Sequence, residues 1–198
     1  MMLIAIFITL VLGVLLAALG VLPLSLMKNL SDFPFYCLCF LLFIVGYGMG
    51  KDKEAFRALA KGNIRLMIIP LGTIIGAFAA GLAASLFLSL GLRECLAISC
   101  GFGWYSYSAV YLTEMHSASL GATAFLANVF REILTFFMIP VMVKIFGAYP
   151  AVSIGGATTM DVTLPVISRY AGQEAAIAAF LHGVVISALT PVILPLII

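Results

Sequence analysis

The chain has 198 residues, of which 64% are hydrophobic and 9% are charged, and its mean hydropathy is +1.24. One soluble core of this size cannot bury that much apolar surface, so lipid is the expected solvent for most of the chain. The formal net charge of +2 comes from scattered residues without a basic patch interleaved with aromatic rings, so nucleic acid is excluded as an expected partner.

Hydropathy divides the chain into seven apolar runs, each a candidate for a helix that crosses the bilayer. One crossing needs roughly 20 helical residues, so this length allows about five to seven crossings in one compact unit. We predict an all-α integral membrane protein, a multi-span helical bundle whose single transporter domain covers residues 1–198. The runs lie near 3–22, 35–50, 66–90, 95–112, 118–147, 151–168 and 174–198.

The first run has no basic residue ahead of it and is too long for a cleavable signal peptide, so we expect a transmembrane helix there. Cleavage near Ala18 and Gly20 is the alternative. Five basic residues connect the second and third runs, which the positive-inside rule places in the cytoplasm together with the amino terminus. The five are Lys51, Lys53, Arg57, Lys61 and Arg65, of which the last four recur every fourth residue. As a helix, these four form a stripe for lipid headgroups or a plain topology anchor.

Glycine and proline interrupt the fourth and sixth runs. Gly101 and Gly103 lie in the fourth, and Gly155, Gly156 and Pro165 lie in the sixth. In lipid, backbone groups freed from a helix must face protein or a water-filled cavity, so both runs are predicted to be broken, discontinuous helices. An inverted repeat that pairs 66–112 with 118–168 is one arrangement that fits them.

Charged side chains lie deep inside the fifth run. Arg131 and Glu132 stand near the middle of 118–147, and with Asn128 and Thr135 they form one polar face of the predicted helix. An ionised group at this depth usually lines a substrate or ion path, which makes Glu132, Arg131 and Asn128 candidates for substrate or ion binding. A buried ion pair that clamps a neighbouring helix is the alternative, and it weighs more for Arg131.

Asp161 is the acid of the sixth run. Thr158, Thr159 and Thr163 flank it, and their hydroxyls and unwound backbone carbonyls are suited to share a cation with its carboxylate. Capping of a half-helix is the alternative, because Asp is a favoured N-cap residue. We predict a substrate or ion site that includes Asp161, Thr158 and Thr159.

His182 lies in the last run and Glu114 lies at the end of the fourth. Histidine titrates near physiological pH, so His182 and Glu114 are candidates for a proton relay. A hydrogen-bonded histidine between helices is the alternative for His182, and an interfacial position is the alternative for Glu114.

Trp104, Tyr105 and Ser106 follow the glycines of the fourth run and combine ring faces with hydroxyl groups. Ring faces attract an ammonium group, which predicts a binding pocket here. Anchoring at the membrane interface is the alternative. No metal or cofactor is predicted, because no histidine or acid stands at ligand spacing from the cysteines. These are Cys37, Cys39, Cys95 and Cys100.

Several short motifs follow one another in the second half of the chain. They are Gly101 to Ser106, Leu112 to Glu114, Arg131-Glu132, Gly156 to Thr158, Met160-Asp161, Thr163 to Pro165 and His182-Gly183. With these motifs, the basic connection and the arrangement of runs, the chain resembles the lysine exporter family LysO over essentially its whole length.

The resemblance implies a secondary carrier of the cell membrane that exports L-lysine and similar cationic amino acids in antiport with protons. Glu132 and Asp161 match the acids that the family is thought to use for coupling. We expect the carboxylate of the substrate to bind at a half-helix amino terminus.

Single-chain members of the family look longer, with additional spans at the amino terminus. We therefore expect this chain to work with a separate small membrane subunit or as a homodimer. The alternative function is that of a structural or assembly subunit of a two-component transporter. An intramembrane enzyme that uses Ser106 and His182 has no motif to support it, so no enzyme is predicted.

Overall fold

The computed structural model describes residues 64–198 continuously, with side chains from residue 68, together with positions 8, 11–13, 15, 16, 19, 33, 36, 39, 40, 43 and 47. The predicted spans at 3–22 and 35–50 lie largely outside the described residues. The basic connection and the cytoplasmic amino terminus predicted from it also lie outside them.

Residues 64–198 are helical and contain no strand, which confirms the all-α class for this part of the chain. Seven α-helices and one 3-10 helix follow one another. They are α1 (Ile64–Phe87), α2 (Leu92–Ser99), α3 (Tyr105–Met115), α4 (Ala118–Phe146), α5 (Ala148–Val152), the 3-10 helix (Gly156–Met160), α6 (Leu164–Ala171) and α7 (Gln173–Ile197).

In the part of the chain that the structure describes, two helices are long and apolar enough to cross a membrane: α1 over Ile68–Phe87 and all of α7. The side of α1 that carries Ile75, Leu82 and Leu86 is exposed. An exposed apolar helix face of this length is typical of a surface in contact with lipid. Together these features indicate a membrane protein.

The longest helix, α4, has one polar and one apolar side. Its 29 residues rise by about 44 Å. Asn128, Glu132 and Thr135 are buried, whereas Phe130 and Phe137 are exposed. The polar stripe therefore turns into the bundle, because residues three and four positions apart share one side of a helix.

Helices α2 and α3 form a hairpin, which we call hairpin 1. Nε2 of His116, just after α3, lies 3.5 Å from Oε1 of Glu94 in the first turn of α2. The outer ends of the two helices therefore lie side by side, and the turn at residues 100–104 lies at the opposite end. We call this turn tip 1.

Helices α5 and α6 form a second hairpin, hairpin 2. Ala148 at the start of α5 and Ala171 at the end of α6 pack against one apolar cluster, which includes Ile139 of α4 and Ala175 of α7. The outer ends of this hairpin are therefore close together as well. Residues 153–163, which include the 3-10 helix, form its turn, tip 2.

The two tips meet near the middle of α4 and α7. The backbone N–H of Ala157 in tip 2 donates to the carbonyl of Phe102 in tip 1 at 2.8 Å. Gly156 has a φ of +62° here, and a Cβ atom on it would collide with the Phe102 carbonyl oxygen. On α7, a Cβ on Gly183 would lie 2.9 Å from the Ala157 carbonyl oxygen. Glycines thus allow two backbone segments and a long helix to approach closely at this junction.

Candidate functional site

A cavity of about 120 Å³ lies beside the junction of the two tips. It has room for several water molecules or for a primary ammonium group. Both tips and both long helices contribute to its wall, and none of the lining residues carries a basic side chain. The wall consists of Gly103, Trp104, Tyr105 and Ser106, of Ala157, Thr158, Met160, Asp161 and Val162, and of Glu132 and Ser187.

Glu132 supplies a buried carboxyl group to this cavity. The residue is 1% exposed, and neither of its carboxylate oxygens has a hydrogen-bond partner among the described residues. A buried carboxylate without a partner costs several kcal/mol when it is ionised. Glu132 is therefore placed to hold either a proton or a cation that enters the cavity.

Asp161 opens onto the same cavity from tip 2, and in contrast to Glu132 it is exposed. Its Oδ1 accepts a hydrogen bond from the backbone N–H of Val162 at 2.5 Å. The N-cap position of α6 belongs to Thr163, so Asp161 does not cap that helix. One acid in the interior and one at the surface thus share a single space.

Aromatic contacts hold the rings at the start of α3. The Trp104 ring lies 5.2 Å from that of Tyr107, and the Tyr105 ring meets the edge of Phe125 at 5.6 Å, both between centroids. With Ser106, these side chains line the cavity opposite tip 2. The structure therefore brings the predicted aromatic pocket together with Glu132, Asp161 and Thr158.

Asn128 supports tip 1 and does not line the cavity. Its Oδ1 accepts from the backbone N–H of Gly103 at 2.8 Å. Its Nδ2 donates to the carbonyls of Ala124 at 2.9 Å and Ile98 at 3.3 Å. These backbone groups occupy its amide, so Asn128 holds tip 1 in place, and the predicted contact with the substrate stays a prediction.

The LysO family, described as "Lysine exporter LysO", matches residues 7–198. The chain belongs to this family. Escherichia coli (strain K12) has a relative named "Lysine exporter LysO", 32% identical over 177 residues, which are 89% of this chain and 58% of the relative. A "Putative lysine exporter" of Haemophilus influenzae is 35% identical over 176 residues, 85% of this chain and 88% of that protein.

This LysO family chain thus spans 58% of the length of the Escherichia coli protein. No solved structure matches the chain significantly. The family is one of exporters and not of enzymes, which fits the prediction that the chain is not an enzyme.

His182 of this LysO family chain lies beside tip 2, outside the cavity lining. It is 1% exposed, with Nδ1 2.9 Å from the Thr159 hydroxyl and Nε2 2.8 Å from the Thr73 hydroxyl. Thr159 also bonds to the Gly156 carbonyl at 2.8 Å, and Thr73 to that of Ser153 at 3.1 Å. The histidine therefore ties α1 and α7 to both ends of the 3-10 turn. These contacts fit the alternative of a histidine between helices, and Thr159 supports this bond instead of lining the cavity.

Thr159→Val is expected to lower the stability of the LysO chain. Valine keeps the shape but removes the hydroxyl that serves His182 and the Gly156 carbonyl, and an unsatisfied buried group costs about 1–3 kcal/mol. The thermal unfolding midpoint in detergent should fall. Thr190→Val is the matched control, because Thr190 is equally buried and bonds to the Ile186 carbonyl within its own helix. Equal shifts in the two variants would contradict this role of Thr159.

Glu114 is exposed near the end of α3 and does not line the cavity. Two hydroxyl groups near the tips had no signal in the sequence. Thr73 and Ser187 are isolated hydroxyls in apolar runs, and the Ser187 hydroxyl lies 3.7 Å from the sulfur of Met160. Only their packing in the LysO fold brings them to the tips.

Proposed function

We propose that this chain is a secondary carrier that exports L-lysine and similar cationic amino acids from the cytoplasm across the cell membrane. Membership of the LysO family supports the substrate. The cavity supports the mechanism, because an acidic lining without a basic side chain favours an ammonium group over an anion.

The observation that carries the proposal is that both carboxylate oxygens of Glu132 lack a hydrogen-bond partner among the described residues, in a cavity shared with Asp161. Such a group is stable when it binds a proton or a cation, and it cannot hold both at once. Protons and lysine therefore compete for the same acids. Inward proton flow then exchanges for outward lysine, since each ligand displaces the other.

We further propose that α1, α4 and α7 cross the membrane and that the two hairpins enter it halfway from opposite sides. The His116–Glu94 contact supports a return of hairpin 1 to its own side. In this arrangement α1 with hairpin 1 and α4 with hairpin 2 form the inverted repeat, and the discontinuous segments are re-entrant. The site lies near the midplane, where non-helical backbone is tolerated beside a cavity.

Cysteine labelling tests this topology in a variant without native cysteines. Single cysteines at Arg93 and His116 should react with an impermeant maleimide from the same side of the membrane. Single cysteines at Lys144 in the last turn of α4 and at Gln173 at the start of α7 should react from the other side. Labelling of positions 93 and 116 from opposite sides would show that hairpin 1 crosses as a broken helix.

Transport itself is tested in inside-out vesicles that contain only this chain. We expect uptake of labelled lysine, accelerated by a pH gradient that is acid inside, because the vesicle lumen corresponds to the exterior of the cell. Vesicles without the protein are the control. If these vesicles take up no lysine, with or without the pH gradient, the result would contradict a carrier that works by itself.

The second candidate function is a structural or assembly subunit that transports only together with a separate small membrane protein. It predicts that the purified chain alone binds lysine but moves none. Flux from the purified chain in proteoliposomes would exclude a need for a second protein.

A further inference from the structure

Arg131 lies against both tips, outside the cavity that its neighbour Glu132 lines. A Cβ atom built on Gly103 would stand 3.9 Å from Nη1 of Arg131, and one built on Gly156 would stand 2.9 Å from Nη2. Both glycines have positive φ angles, 87° and 62°. The guanidinium therefore rests on glycine backbone at the place where the tips meet.

No countercharge accompanies this guanidinium within the part of the chain that the structure describes. The described residues form an ion pair between His116 and Glu94 instead. The Arg131 guanidinium donates no hydrogen bond to any of the described residues. Glu132 is next in sequence, but successive residues point about 100° apart on a helix. A partly buried cation without a partner is costly, so this position favours an anion.

The cavity itself has nothing to bind an anion. Its charged groups are Glu132 and Asp161, and its lining includes no basic side chain. A zwitterionic amino acid brings a carboxylate together with its ammonium groups, and that carboxylate needs a separate receptor. Arg131 is next to Glu132 in sequence and lies against Gly103, which lines the same cavity.

We propose that Arg131 binds the α-carboxylate of the transported amino acid, while the acids of the cavity bind its ammonium groups. This inference rests on the proposed transport function and replaces the half-helix amino terminus as the carboxylate receptor. A planar guanidinium binds a carboxylate through two parallel hydrogen bonds. The carboxylate reaches Arg131 when the tips separate, which breaks the bond between Ala157 and Phe102.

The proposal restricts the substrates to amino acids with a free carboxylate. A structural clamp makes a different prediction, because a clamp stabilises the protein for every ligand alike. If Arg131 is a structural clamp, Arg131→Gln weakens the binding of all ligands by the same factor. If Arg131 is a carboxylate receptor, Arg131→Gln weakens the binding only of ligands that carry a carboxylate.

A thermodynamic cycle that combines a change in the protein with a change in the ligand distinguishes the clamp from the carboxylate receptor. Binding of L-lysine and of L-lysinamide to the purified full chain is measured at a pH at which both amino groups of each ligand are protonated. The wild type should bind lysine at least about tenfold more tightly than lysinamide, because one charge-assisted hydrogen-bonded pair contributes an affinity difference of this size. In Arg131→Gln the two ligands should bind equally, and Arg131→Lys should retain part of the preference.

Glu132→Gln is the matched control, since it removes a group that binds the ammonium shared by both ligands. This variant should weaken the binding of lysine and of lysinamide by the same factor and preserve the ratio of the two affinities. An unchanged ratio in Arg131→Gln, with or without a general loss of affinity, would overturn the carboxylate assignment. If Arg131→Gln does not fold, an unchanged ratio in Arg131→Lys overturns it equally. A wild type that binds neither ligand would overturn the proposed function, and this inference with it.

Discussion

Lysine export by Glu132→Gln or Asp161→Asn should fall to the level of vesicles without the protein. Each amide keeps the size of the side chain but cannot exchange a proton for a cation, so the competition that drives antiport is lost. Because the Glu132 carboxyl has no hydrogen-bond partner among the described residues, its replacement breaks no such bond there. Efflux of labelled lysine from loaded vesicles measures the loss.

Glu174→Gln is the control for this experiment. Glu174 is an exposed acid in the first turn of α7 that does not line the cavity, so its amide should export lysine at the wild-type rate. The amount of each variant in the membrane should equal that of the wild type. Normal efflux in both Glu132→Gln and Asp161→Asn would contradict a role for the two acids in transport.

Gly156→Ala is expected to abolish transport and to destabilise the fold. At the positive φ of this position, a residue with a side chain destabilises the fold by about 1–3 kcal/mol. The new methyl group would in addition collide with the Phe102 carbonyl, so the tips must move apart. Such overpacking adds about 1–3 kcal/mol. The thermal unfolding midpoint and lysine efflux should both fall.

Gly172→Ala separates the collision from the backbone strain. Gly172 has a φ of +90°, and a Cβ atom there would have no neighbour within 4 Å. This variant should lose stability only through its backbone conformation and should retain transport. A Gly156→Ala variant that is no less stable and no less active than Gly172→Ala would contradict the close contact of the tips.

Much of the helical layout follows from the sequence. Hydropathy predicts one helix over 118–147, and the structure has α4 over Ala118–Phe146. The three- and four-residue spacing of Asn128, Glu132 and Thr135 predicts a stripe toward the interior, and all three are buried. Such periodic patterns can be read without tertiary information because helix geometry alone fixes which residues share a side.

The direction of the chain after each interruption does not follow from the sequence. Gly101 and Gly103 indicate that the helical ladder ends but not that α3 packs against α4 and brings His116 back to Glu94 at the start of α2. The contact of His182 with Thr73 could not be predicted from the sequence either. Thr73 is separated from His182 by 109 positions and is an isolated hydroxyl in an apolar run.

The way in which the tips are attached has an energetic consequence for alternating access. Tip 1 is tied to α4 through the amide of Asn128, and tip 2 is tied to α7 through His182. Between the tips, the described residues form a single backbone hydrogen bond, whose net contribution is of order 1 kcal/mol. Phe102 of tip 1 and Ala157 of tip 2 also belong to one buried apolar cluster, so separation of the tips exposes apolar surface in addition to breaking this bond. In the proposed carrier, the free energy of substrate binding has to offset both costs, while each tip stays attached to its own long helix.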